Sequence, residues 1–169
     1  SCRSLTSVII PDSVIYIGIQ AFEACDSLEY NEKDGIKYLG NETNLYVIVM
    51  EVTSDDITAV NIENGCKVIY GAFDTCRSLT SVTIPDSVTS IGEYAFYGCS
   101  GLTSITIGNG VTSIGKQAFY DCTSLSDIYC KATSEPIGWD GRWKDRCSAT
   151  VHWGNEWEYV DGVPTVKQN

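Results

Sequence analysis

A nucleophile needs a base, and a base needs a partner to orient it, so we first ask where such groups could meet in this chain. The sequence holds a single histidine, His152, so any Ser–His or Cys–His pair would have to be built on it. His152 sits between Val151 and Trp153, a setting that suits a packed or half-exposed side chain better than a base. Eight cysteines are present, but no C-x-x-C pair occurs, and no Cys/His set has zinc spacing. No glycine-rich phosphate loop follows a strand pattern. Carboxylates gather at Asp55-Asp56 and at Glu29, Glu32, Asp34 and Glu42. Without calcium-loop spacing they read as a solvated acidic edge. These residues point away from an enzyme, and they call for no metal and no cofactor.

The tryptophans offer a different chemistry. Trp139, Trp143, Trp153 and Trp157 all fall after residue 130. Indole faces can carry sugar rings, and they can equally close the end of a hydrophobic core. Trp139 and Trp143 are four apart, the spacing of one helical face. The net charge of −11 excludes nucleic acid and anionic membranes as partners, because both demand a basic footprint. No apolar run of about 18 residues is present, so no membrane insertion is expected.

The elements that must position these groups are repeats. Residues 76–98 read CRSLTSVTIPDSVTSIGEYAFYG and residues 99–121 read CSGLTSITIGNGVTSIGKQAFYD, a self-match at an offset of 23. Leu79, Val82, Ile84, Val88, Ile91, Phe96 and Cys99 map onto Leu102, Ile105, Ile107, Val111, Ile114, Phe119 and Cys122. A fixed period of this length marks a solenoid whose units share one core. Leu-x-x-Val-x-Ile places alternate residues inward, as in a strand with one buried face. Pro-Asp-Ser makes a turn, Ile-Gly bends the chain, and Ala-Phe is expected on a short helical or 3₁₀ segment. Cys2, Cys25, Cys76, Cys99 and Cys122 share one repeat position. Equivalent positions in stacked coils lie about 4.8 Å apart, with side chains aligned rather than opposed, so these thiols read as small buried fillers.

Along the chain, residues 1–25 form one repeat. Residues 26–53 form an irregular repeat with a β-hairpin insert, its strands at Gly35 to Leu39 and Leu45 to Val52 around an Asn41–Asn44 turn. Residues 54–75 are a degenerate repeat with Cys66 where the others have valine, residues 76–98 and 99–121 are clear repeats, and residues 122–169 hold a last strand and a Trp-rich C-terminal cap. Asn41-Glu42-Thr43 matches the glycosylation triplet, a pattern common by chance. Cys130 and Cys147 leave two outcomes open in the cap, a disulfide or two free thiols. The chain opens inside a repeat, which suggests a piece of something longer whose open end could self-associate end to end.

LTSVTIPDSVTSIGEYAFYGC and LTSITIGNGVTSIGKQAFYDC resemble the BspA-type leucine-rich repeat. Leucine, the P-[DN]-S-V turn, the S-I-G bend and the A-F-x-x-C end recur together over residues 2–25 and 54–128. The resemblance implies an α/β repeat fold, a right-handed leucine-rich-repeat solenoid of five to six coils with a parallel sheet on one face and short helical or 3₁₀ turns on the other. It also implies an extracellular or cell-surface protein that mediates adhesion by binding protein, including host extracellular matrix. The family has no common catalytic residues to carry over.

If the anchors point inward, the strand positions left outside form two columns. One holds Ser7, Ala59, Ser81, Ser104 and Asp127, and the other holds Ile9, Asn61, Thr83, Thr106 and Tyr129. We take Ser81, Thr83, Ser104, Thr106, Asn61 and Tyr129 as candidate binding residues for a protein or glycan. The competing readings are that these hydroxyls only finish the sheet surface, that the solenoid is a passive structural spacer of a larger surface protein, or that the tryptophan cap is a carbohydrate-binding module.

Overall fold

The computed structural model describes residues 2–18 and 21–168. Ser1, Ile19, Gln20 and Asn169 lie outside the described residues, so the chain end at Ser1 and the approach to the expected Ala21–Phe22 segment fall there. The period of 23 is built as a coil with three sides. Each clear repeat supplies one strand to each of two parallel sheets, and a run of turns completes the circuit.

The first sheet collects the strands of the Leu-x-x-Val-x-Ile segments: β4 (Ala59–Asn61), β6 (Ser81–Ile84), β8 (Ser104–Ile107), β10 (Asp127–Cys130) and β12 (Thr150–His152), ordered β12-β10-β8-β6-β4. The second collects the Val-x-x-Ile segments: β5 (Val68–Ile69), β7 (Ser90–Ile91), β9 (Ser113–Ile114) and β11 (Gly138–Trp139). It begins with an antiparallel meander of β1 (Asn31–Lys33), β2 (Ile36–Leu39) and β3 (Ile48–Val52), and β3 then runs parallel to β5. β13 (Trp157–Val160) and β14 (Val163–Val166) form a separate hairpin. This is a β-solenoid of about five turns with parallel sheets.

The expected helical or 3₁₀ segments do not form; no helix occurs among the described residues. The third side is made of turns. In residues 93–98 the amides of Tyr97 and Cys99 close turns onto the carbonyls of Tyr94 and Phe96, while Phe96 N–H and Gly98 N–H reach the next coil, to Ala118 O and Tyr120 O, both at 2.8 Å. A helix would keep all these donors within its own coil. The alternation requires a positive φ, and it falls at equivalent places: Gly71, Tyr94 and Gln117 in one column, and Ala24, Thr75, Gly98, Asp121 and Arg146 in the other. For the residues that are not glycine this conformation costs about 1 kcal/mol or more each, offset by the bonds between coils. Trp139 and Trp143 therefore do not share a helical face. Trp139 lies in β11 and Trp143 on the turn side, where the two rings meet edge-on at 5.1 Å.

The anchors form the core. Leu79, Val82, Ile84, Val88, Ile91, Phe96 and their counterparts one repeat on are all buried. Phe73, Phe96 and Phe119 stack nearly parallel at 4.9 Å, and Trp143 ends the row edge-on at 5.6 Å. Residues 131–152, expected to leave the repeat, instead make another turn of it. β11 extends the second sheet, Cys147 takes the position of Cys122 one coil on, and β12 extends the first sheet.

The irregular region explains why the first repeat has no ladder. Asp34 and Gly35, with φ of 50° and 78°, make a tight turn that folds β1 onto β2. β1 is thereby taken from the place beside β4 that the repeat would give it. Residues 2–18 contain no assigned strand, and the first repeat is tied on by a few bonds: Glu29 N–H to Thr6 O, Ile10 N–H to Gly40 O, and the Asn41 side-chain amide to Ile10 O at 2.8 Å and Asp12 Oδ1 at 3.1 Å. The amide of the glycosylation triplet is thus already committed to holding the first repeat in place. No helix among the described residues is long and apolar enough to cross a membrane.

Candidate interaction face

The register places the outward columns side by side. Ala59, Ser81, Ser104, Asp127 and Thr150 align, as do Asn61, Thr83, Thr106, Tyr129 and His152. Their accessibility is uneven. Asn61 and Thr83 are exposed, and Ser81 and Ser104 are half-buried. Thr106 and Tyr129, expected outside, are buried at 3% and 9% exposure. For Tyr129 the cause lies far along the chain. Beyond β12 the chain returns across β10, so that Trp157 sits 5.3 Å from the Tyr129 ring and its indole N–H donates to Cys130 O at 3.0 Å. The His152 ring also stacks on Tyr129, at 5.1 Å. The open part of the face is the end formed by β4 and β6.

Other hydroxyls, not singled out by the sequence, do the stacking. Thr80 Oγ1 donates to Thr58 O and Thr103 Oγ1 to Thr80 O, at 2.8 and 3.0 Å, and Ser126 Oγ lies 3.2 Å from Thr103 O while its proton goes to Asp127 at 2.6 Å. Thr89 and Thr112 repeat this at the second sheet, toward Lys67 O and Thr89 O. The signal was present in the sequence, as hydroxyl residues that recur at the full period beside the anchors.

Ser126, Asp127 and His152 come together, yet their order excludes nucleophilic activation. Asp127 stands in the middle: Ser126 Oγ bonds Oδ2 at 2.6 Å and His152 Nε2 bonds Oδ1 at 2.8 Å. A nucleophilic serine needs the imidazole next to its hydroxyl. Here the carboxylate separates them and is itself stabilised, its pKa held below the ordinary value first by the Ser126 hydroxyl and then by His152.

The cysteine column is more than filler. Cys99 Sγ and Cys122 Sγ donate to Phe73 O and Phe96 O of the preceding coil at 2.9 and 3.0 Å. Burial pushes the thiols up, to about 11 at Cys76 and about 12 at Cys122 and Cys130, so they are poor nucleophiles. Cys130 and Cys147 are both free; Cys130 ends β10, while Cys147 lies on the turn side in the row of Cys122. Among the tryptophans, Trp139, Trp143 and Trp157 are buried, which leaves only partly covered Trp153 with any platform to offer. No group of three or more potential metal ligands occurs among the described residues.

Comparison with known proteins bears on the same repeat. Among curated proteins, none matches the chain. A solved leucine-rich cell surface protein of Faecalibacterium prausnitzii A2-165 is similar in fold, with a TM-score of 0.50 and 25% identity over 77% of this chain. The match covers 44% of that protein, so this chain spans less than half its length. The signature of the BspA-type leucine-rich repeat region matches residues 1–43 and 52–140 in six copies. With most of its length accounted for by that signature, the chain belongs to the BspA-type leucine-rich-repeat family.

Proposed function

We propose that this chain is a non-enzymatic interaction module of a secreted or cell-surface protein, and that it serves adhesion by holding a protein ligand, such as host extracellular matrix, against the outer face of β4, β6 and β8. The observation that carries this reading is the open, uncharged end of the two-column face. Asn61 and Thr83 are the exposed contacts, with Ser81 and Ser104 beside them. Thr106 and Tyr129 would act from beneath, as a rigid floor. Small hydroxyl and amide groups on a rigid sheet can bond a partner's backbone with little ordering cost. The surface setting draws support from the cell surface protein of similar fold. The test is a panel of immobilised matrix proteins and glycans, probed with the chain and with an Asn61→Arg/Thr83→Arg variant. Capture of a matrix protein that the variant loses is the expected result. Capture that the variant retains would move the site elsewhere.

A second reading, that the solenoid is a spacer, is favoured by the Thr80 and Thr103 ladder, in which hydroxyls serve stacking alone. It predicts that no member of the panel is captured.

A further inference from the structure

The turn side carries a feature separate from the strand face. In the third, fourth and fifth coils this side is a continuous wall. The second coil lacks the Ala-Phe-x-x-Cys segment, because β3 runs on to Val52 and the chain reaches β4 by residue 59. The wall is notched there. Phe73 N–H and Thr75 N–H bond Ala95 O and Tyr97 O of the next coil, and Phe96 N–H and Gly98 N–H bond Ala118 O and Tyr120 O. The corresponding acceptors one coil earlier are Ala72 O and Asp74 O, and no backbone amide among the described residues donates to them.

A cleft of about 200 Å³ opens beside the notch, lined by Tyr16, Ile17, Tyr70, Asp74, Glu93 and Tyr94 together with Gly71 and Gly92. Three phenol rings stand with two carboxylates, and the described lining residues include no lysine or arginine. Neither Asp74 nor Glu93 forms an ion pair with a described residue. Partial burial raises the Asp74 pKa. A planar cation meets all of these groups at once, stacking on phenol faces while its N–H groups bond carboxylates in pairs.

We propose that this cleft takes an arginine side chain presented by a basic segment of a partner polypeptide. Arginine fits better than lysine, because a guanidinium stacks and forks where an ammonium is a point charge. The site is independent of the strand face, and either reading can fail alone.

The test uses a capped heptapeptide of alternating glycine and arginine, titrated into the ¹⁵N-labelled chain. A second peptide has citrulline at each arginine position, with the same shape and no charge. Amide shifts centred on Tyr70, Gly71, Asp74 and residues 92–94 are expected, with the citrulline peptide inert. Asp74→Asn/Glu93→Gln should weaken binding about tenfold, while Glu158→Gln/Asp161→Asn on the distant hairpin should leave it unchanged. Because the chain carries −11 overall, diffuse attraction is the rival explanation. Shifts scattered over the surface, or equal loss in the two double variants, would establish it and overturn the proposal. Equal binding of the citrulline peptide, or no shift at millimolar peptide, would overturn it too.

Discussion

Gly110 separates repeat logic from packing logic. The equivalent residue is Ser13 in the first repeat and Ser87 in the fourth coil, so a consensus argument recommends Gly110→Ser. The packing argues the reverse. A Cβ on Gly110 would lie 2.0 Å from Asp86 O and 2.8 Å from Val88 O, both backbone atoms that cannot swing aside. The turn at 108–110 would have to retreat by more than an ångström, breaking the bond from Asn109 N–H to Asp86 Oδ1 at 2.8 Å. Overpacking of this kind costs about 1–3 kcal/mol, and the lost bond to a charged acceptor adds about 1 kcal/mol more. Taking about 3 kcal/mol, a chain of this length should melt about 6–12 °C lower. Thermal unfolding followed by far-ultraviolet circular dichroism, with urea midpoints as a check, measures this. Gly141→Ser is the control, since a Cβ there meets nothing within 4 Å, and it should melt within about 2 °C of the parent. A Gly110→Ser variant that also melts within about 2 °C of the parent would refute the claim that this turn is closed by backbone contact.

Further outcomes follow from other parts of the molecule. Asp127 and Asp86 have folded pKa values lowered by hydrogen bonds, chiefly from the Ser126 hydroxyl and the Asn109 amide, with His152 and Lys131 adding to them. Their contribution to stability is present above the unfolded value of about 3.9 and is lost as the pH falls through the lowered values. Asp127→Asn and Asp86→Asn should therefore flatten the loss of urea stability below about pH 4, and an unchanged acid slope in both counts against the bonding described. In the native chain a thiol reagent should titrate Cys2 quickly and the buried cysteines slowly, then reach all eight in denaturant; six would mean a disulfide. Gly98→Ala should cost about 1 kcal/mol from its positive φ alone, as its Cβ meets Thr75 Cγ2 only at 3.5 Å. In the β13–β14 hairpin the Asp161–Gly162 turn makes Val160 and Val163 the closing bonded pair, so position 164 faces the open edge, where proline has no N–H. Pro164→Thr restores an edge donor and should raise association, read by light scattering.

The solenoid was legible because its anchors recur with one period. Leu79, Ile84 and Phe96 announce themselves again at Leu102, Ile107 and Phe119, and burial follows the pattern without exception in these two coils. The turn side was misread because Glu-Tyr-Ala-Phe is as good a helix sequence as a turn sequence. What decides is the neighbouring coil, whose carbonyls at Ala118 and Tyr120 claim the amides of Phe96 and Gly98. Asp34-Gly35 was a readable hairpin signal, overlooked because the more apolar run from Leu45 drew the strand assignment. The burial of Tyr129 is beyond any local pattern, since it depends on Trp157, which lies 28 residues later.

The opposed bonding of the coil faces has a consequence for how such a chain can change. Thr103 N–H reaches back to Thr80 O while Phe96 N–H reaches forward to Ala118 O, so each regular coil gives to and takes from both neighbours at a near-constant offset. The top of one regular coil is therefore the complement of the bottom of another. A whole unit such as residues 76–98 can be gained or lost by an in-register event in the gene, and the new neighbours find the same donors, the same phenylalanine row and the same thiol contacts waiting. Length in this architecture is close to a free variable, whereas a change that is not a whole unit must be absorbed locally, as the hairpin insert and the notch of the second coil illustrate.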